Sequence, residues 1–147
     1  TAQAEAALTA MAGAGLRCAS LRPTGVYGPG QPQKWAGLIG GFLGGTTPVP
    51  HVATEVHGAD LAAAALLVLG DPAMSGSYNV SDLVLDRRDL LAEVACVTGC
   101  ATPLPARADP AALRRPLTQR LHRLGWVAGG FDLLRAEMPD IVADVQP

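Results

Sequence analysis

The chain has 147 residues, 49% of them hydrophobic and 16% charged, enough apolar material for one compact domain and too much for a disordered segment. A formal net charge of -2 provides no overall positive field, which sets aside nucleic acid and anionic membranes as partners. Three cysteines, Cys18, Cys96 and Cys100, are too few for a disulfide framework. They read as small buried hydrophobes, and two thiols alone make no metal site. The longest apolar run, Leu61 to Gly70, is too short to span a bilayer, and no basic segment leads into an apolar one at the start. A cytoplasmic protein is the expectation.

Residues 3–12 read as a helix, rich in alanine, with Gly13 and Gly15 offering its stop. The helix shows no capping residue before it, so the expectation is that residues upstream are missing. LRCASLR, residues 16–22, follows as a short strand, and it runs into PTGVYGPG, which reads as a rigid but permissive turn. Residues 33–44 read as a weaker helix: Trp35, Leu38, Ile39 and Phe42 make one apolar stripe, and five glycines between residues 37 and 45 weaken it. Residues 47–52 and then 54–57 read as extended. Residues 61–69 are apolar on every face, which predicts a helix covered on two sides, with Asp60 capping or charging its first turn. Gly70, Asp71 and Pro72 end it.

SYNV, residues 77–80, is a further strand. Residues 86–98 return to helix, with Leu90, Leu91, Val94 and Val97 as the inner stripe. Residues 102–108 are loop, residues 111–124 a helix interrupted near Pro116, and residues 131–138 a last short helix. Arg114, Arg115, Arg120 and Arg123 read as a solvated helix face. Strands alternating with helices predict an α/β layer architecture. Three or four short strands are few for the helices that need covering, so the sheet reads as part of a larger one.

The order of an A-x-A-E helix, LRPTGVYGPG, VHGADLA and GSYNVSD resembles the C-terminal half of an extended short-chain dehydrogenase/reductase, the NAD-dependent epimerase/dehydratase family. The resemblance covers about residues 1–100 well and the tail weakly. It implies an incomplete Rossmann-like parallel sheet plus a small C-terminal substrate-binding part. Residues 1–30 would be the last part of the nucleotide-binding domain. Residues 31–147 would be the substrate-binding and C-terminal part, interleaved with the final sheet strands.

In that family Pro23, Thr24, Gly25 and Val26 would line the nicotinamide end of NAD or NADP. Pro23 fixes φ and offers no N–H, and Gly25 permits close backbone approach. Thr24, Tyr27, Lys34, Trp35 and His51 are the substrate-binding candidates. Tyr27 is expected to pack and hydrogen-bond near the substrate mouth. His57 and Asp60 resemble the family's VHVxD motif and are expected to order the turn and cap the helix.

Two family features are absent from the sequence. No glycine-rich G-x-x-G-x-x-G fingerprint follows a strand, and no Tyr-x-x-x-Lys occurs, since Gln31 and Asp82 stand four residues after Tyr27 and Tyr78. Glu5 would place the family's lysine on Thr1. The chain alone is therefore expected to be inactive in hydride transfer, with no catalytic residue of its own. Gly25 stands where sugar-nucleotide members often carry asparagine, and Ala53 where they often carry a phosphate-clamping arginine. Both departures favour a small or apolar alcohol or carbonyl substrate. The alternatives are a non-catalytic NAD(P)-fold sensor or interaction protein, and a complete, unrelated small binding module. Ala2, Ala6, Ala7 and Ala10 would suit a homodimer through helix 3–12, although packing against a sheet explains them equally well.

Overall fold

A computed structural model describes residues 2–145. Thr1, where the family's lysine would fall, lies outside them, as does the side chain of Ala2. In chain order the elements are α1 (Ala2–Gly13), β1 (Ala19–Pro23), β2 (Gly25–Tyr27), α2 (Ala36–Leu43), β3 (Val52–His57), α3 (Gly58–Gly70), β4 (Gly76–Val80), β5 (Leu83–Asp86), α4 (Arg87–Thr98), α5 (Gln119–His122) and α6 (Gly130–Ala143). No helix among the described residues is long and apolar enough to cross a membrane.

The strands form two small sheets. β1 and β4 pair in parallel, from Ala19 opposite Gly76 to Pro23 opposite Val80. In the second sheet β3 is central, parallel to β2 and antiparallel to β5. Each sheet has its own core. Val56, Ala64, Val68, Tyr78, Val80, Leu121 and Trp126 pack together beside the parallel pair. Tyr27, Trp35, Ile39, Phe42, Leu85, Leu90, Leu91, Val94 and four residues of α6 make the other.

α3 is fixed at both ends. His57 is its N-cap, accepting the Ala59 N–H at Nδ1 over 3.1 Å. Asp60 lies in the first turn, where its Oδ2 accepts the Gly129 N–H at 3.0 Å and its backbone carbonyl accepts the Trp126 indole N–H at 2.9 Å. The cap is thus the histidine, while the aspartate ties α3 to the segment before α6. At the other end the Arg17 guanidinium donates to the carbonyls of Val68, Leu69 and Asp71 at 2.9 to 3.1 Å, a cation on the negative end of the helix.

Several expectations need correction. PTGVYGPG is not a turn throughout, because Gly25–Tyr27 is itself a strand. LVLD, residues 83–86, is also a strand, too short and too close to the α4 cap to stand out in the sequence. The helix expected over 111–124 reduces to a 3₁₀ turn at Pro110–Ala112 and the four-residue α5, since Pro116 cannot donate to a continuous ladder. α6 is longer than expected and carries Pro139 inside.

Side-chain placement differs as well. Val97 faces outward, and α3 is covered on one side only, leaving Leu66 and Leu69 70% and 68% exposed. Cys96 is exposed and the other two cysteines are half-buried. The arginines do not share a helix face. Arg120 instead stacks over the Tyr78 ring at 4.1 Å and donates to the Ser75 and Ser77 carbonyls.

Asp86 begins α4 by accepting the Arg88 N–H at 2.8 Å and holds the following loop by accepting the Ala108 N–H at 2.9 Å. Asp86→Ala is expected to cost about 1–2 kcal/mol, read from the urea unfolding midpoint, with Asp86→Asn losing less. Equal losses in the two variants would mean that the cap geometry is not what stabilises this end.

Candidate functional site

The passage from β1 to β2 is a change of partner. The Thr24 N–H donates to the Val80 carbonyl at 3.0 Å, and its hydroxyl donates to Ser81 Oγ at 3.2 Å. The Thr24 amide is therefore engaged within the fold. Pro23 and Val26 are exposed, and Thr24 and Gly25 are half-buried. These four residues lie at the carboxyl end of a parallel strand, the position at which open α/β sheets bind ligands.

Gly25 also meets a constraint inside the fold. It stands opposite Glu55 in register. A Cβ on Gly25 would overlap the Glu55 carboxylate and the Lys34 ammonium, which form an ion pair. The glycine thus makes room for these two side chains. Burial pushes the Glu55 carboxyl above its ordinary range, and the Lys34 hydrogen bond and charge oppose that shift.

The adjacent Lys34 and Trp35 meet His51, which directly precedes β3, around a hollow of about 190 Å³. Leu38, Leu85 and Leu90 line it, together with Ala53, Glu55 and Arg87. Sequence reading missed Glu55 and Arg87. The signal for Glu55 was its alternation with Ala53 and His57, which puts a carboxylate on the same strand face as the predicted motif. Arg87 follows the unrecognised β5. Its Nη1 donates to the Val49 carbonyl at 2.7 Å and its N–H to the His51 carbonyl at 2.8 Å, which fixes the loop carrying His51.

A second hollow, of about 490 Å³, shares Lys34 and is lined by the end of β2 and the loop after it (residues 26–32), His57 to Ala59 and Glu137. Because His57 Nδ1 accepts a hydrogen bond, the neutral ring carries its proton on Nε2. That buried Nε2–H has no hydrogen-bond partner among the described residues, and Glu137 Oε2 lies 3.8 Å away. Gly28, at φ +152°, passes so close that a Cβ would sit 3.0 Å from Nε2.

Tyr27 packs as expected, with its ring stacked on Trp35 at 5.2 Å and edge-on to His57 at 5.1 Å. Its hydroxyl, however, finds no hydrogen-bond partner among the described residues. Burial, reinforced by Asp82, Asp60, Glu55 and Glu137, pushes that hydroxyl far above its ordinary value of 10. The buried hydroxyl is thus held in its neutral form.

No protein-family model matches the chain, and no curated protein matches it in sequence. Solved structures do match in shape. A UDP-galactose 4-epimerase aligns over 97% of this chain and 52% of its own, with a TM-score of 0.74 and 17% identity. A UDP-N-acetylglucosamine 4-epimerase from Methanobrevibacter ruminantium, in complex with UDP-N-acetylmuramic acid, aligns over 97% of this chain and 50% of its own, at 0.69 and 18%. RMD from Pseudomonas aeruginosa, complexed with NADPH, aligns over 94% and 50%, at 0.68 and 21%. The chain spans about half the length of these structures, and its mixed α/β arrangement, with the parallel β1–β4 pair, is that of a C-terminal half of their Rossmann-like fold.

Two substitutions separate the structural parts of this site. Gly25→Ala is expected to lose about 1–3 kcal/mol in urea unfolding, because the Lys34–Glu55 pair must move. Tyr27→Phe removes a buried hydroxyl without a partner and is expected to leave stability unchanged or raise it by about 1 kcal/mol. A clear loss in Tyr27→Phe would show that the hydroxyl is satisfied, for instance by an ordered water.

Proposed function

We propose that this chain is the substrate-side half of an NAD(P)-dependent oxidoreductase, epimerase or dehydratase that acts by reversible hydride transfer. One observation carries the reading: nearly the whole chain overlays half of a 4-epimerase, and the order of its motifs follows the same fold. Residues 1–30 belong to the nucleotide-binding part and residues 31–147 to the substrate part, with β4 returning to pair with β1.

In this reading Pro23, Thr24, Gly25 and Val26 face the nicotinamide end of NAD or NADP. Bound there, the cofactor supplies the hydride acceptor and donor. The chain's own residues orient the substrate: Trp35 and Leu38 offer an apolar wall, and Lys34, His51 and Thr24 offer polar contacts. A small or apolar alcohol or carbonyl fits a hollow of about 190 Å³ with mostly apolar walls. The general acid and base come from outside residues 1–147, since neither tyrosine has a lysine four residues on. This chain alone is therefore inactive. Three free cysteines suit a reducing cytoplasm.

The test uses the protein at the length its source produces. Saturable NADH or NADPH binding, seen as enhanced nicotinamide fluorescence, is expected, with deuteride transfer from the labelled cofactor to a carbonyl substrate. Absence of binding would remove the reading. Binding without transfer to any of a broad carbonyl panel would favour the sensor reading, which the missing Tyr-x-x-x-Lys supports.

α1 presents Ala6, Ala7 and Ala10 as exposed small residues, which suits a homodimer through that helix. Light scattering at micromolar concentration is expected to give twice the chain mass, reduced to one by Ala6→Arg with Ala10→Arg. A monomer in the unsubstituted protein would end that proposal.

A further inference from the structure

We infer that Glu55 determines specificity: it holds Lys34 as an internal counter-ion and so turns the substrate pocket against diphosphates. The inference rests on the reading that the hollow around Trp35 receives substrate.

The Glu55 side chain is only 8% exposed, and that of Lys34 is 32% exposed. A buried carboxylate is costly to leave unpaired, so the ammonium is held as its counter-ion and is not free for an anion, while its exposed part can still contact a neutral substrate. Gly25 keeps the space in which they meet, since a Cβ there would overlap both groups. A diphosphate needs several charge-assisted donors at once. Here Lys34 is already neutralised, and Glu55 opposes any second anion at the same wall. Ala53, between Glu55 and His51 in the chain, adds no donor. Arg87 and the exposed His51 are the remaining basic groups that line the pocket, and Arg87 spends one guanidinium N–H on the Val49 carbonyl. A neutral hydroxyl or carbonyl compound meets no comparable opposition, and Trp35, Leu38 and Leu90 cover its apolar part.

Inorganic pyrophosphate is the probe. It is titrated into the native-length protein at physiological salt and followed through the Trp35 indole resonance, a local reporter because Lys34 Nζ lies 5.6 Å from that ring. The unsubstituted protein is expected to show no saturable shift of that resonance below millimolar concentration. Glu55→Gln, which frees the ammonium, is expected to bind at least about tenfold more tightly. Adding Lys34→Met to that variant should abolish the gain. Submillimolar saturation in the unsubstituted protein overturns the inference, and this arm stands whether or not the variant folds. A Glu55→Gln protein that is folded by circular dichroism yet binds no better also overturns it. Cofactor binding is scored separately, so loss of the dehydrogenase reading and loss of the counter-ion are distinguishable.

Discussion

Two strand runs change partners at the same level of the molecule, and the contact between Thr24 and Ser81 joins them there. β1 ends at Pro23 and the chain resumes as β2 in the other sheet. β4 ends at Val80 and the chain resumes as β5 in that same second sheet. Thr24 bonds to Val80 through its backbone and to Ser81 through its hydroxyl, while the Asp82 N–H donates to the Glu55 carbonyl at 3.0 Å. Backbone groups at such a switch have to find partners or remain exposed to water. These bonds provide the partners. The candidate site residues hang from this junction: Gly25 follows Thr24, Glu55 bonds to the residue after Ser81, and Tyr27 ends the strand that Gly25 begins.

β3 carries the consequence across the second sheet. Its alternation puts Ala53, Glu55 and His57 on one face and Val56 into the core of the first. His57 then closes the strand and opens α3 with a single hydrogen bond. The same side chain thus fixes a helix and presents a buried N–H beside residues 26–32. A charged or bulky residue at position 28 would collide with it, so Gly28 belongs to the same unit. Asp60 and Asp82 extend that unit to α6, each accepting a backbone N–H from the glycine pair at its start. Two carboxylates at the positive end of a helix favour its first turn.

The elements most legible in the sequence were those whose signals were local. Alanine-rich 3–12, the uncharged run 61–69 and the Leu90, Leu91 and Val94 stripe each specify a helix without help from elsewhere. The strand 77–80 was legible for a similar reason. What stayed hidden was set by partners distant in the chain. β2 was concealed by the proline and glycine around it, because its reason to be extended is β3. β5 has four residues, and its pairing with Val52–Glu55 alone makes it a strand. The outward side of Leu66 and Leu69 was equally hidden, since composition cannot say which side of an apolar helix is covered. At the site, Lys34, Trp35 and His51 were found as residue types suited to a mouth, and the structure brings them together. Glu55 was missed because its role depends on a glycine thirty residues earlier having no side chain to displace it.

The division of labour within the proposed enzyme follows from these facts. Hydride transfer needs a cofactor held by its diphosphate and a proton donor matched to the substrate oxygen. This chain has neither the fingerprint for the first nor a tyrosine fit for the second. Tyr27 is held protonated by burial, with nearby carboxylates adding to it, and Gln31 rather than a lysine stands four residues on. In the proposed reading, what the chain supplies is a wall against which a substrate carbon is placed near the nicotinamide. Such placement contributes to rate through orientation, and it separates substrates through the polar groups they must leave unpaired. Lys34, a charged group on that wall, is already paired, and its partner is itself buried. Selectivity in this architecture therefore comes less from the charges lining the pocket than from which of them the fold leaves free.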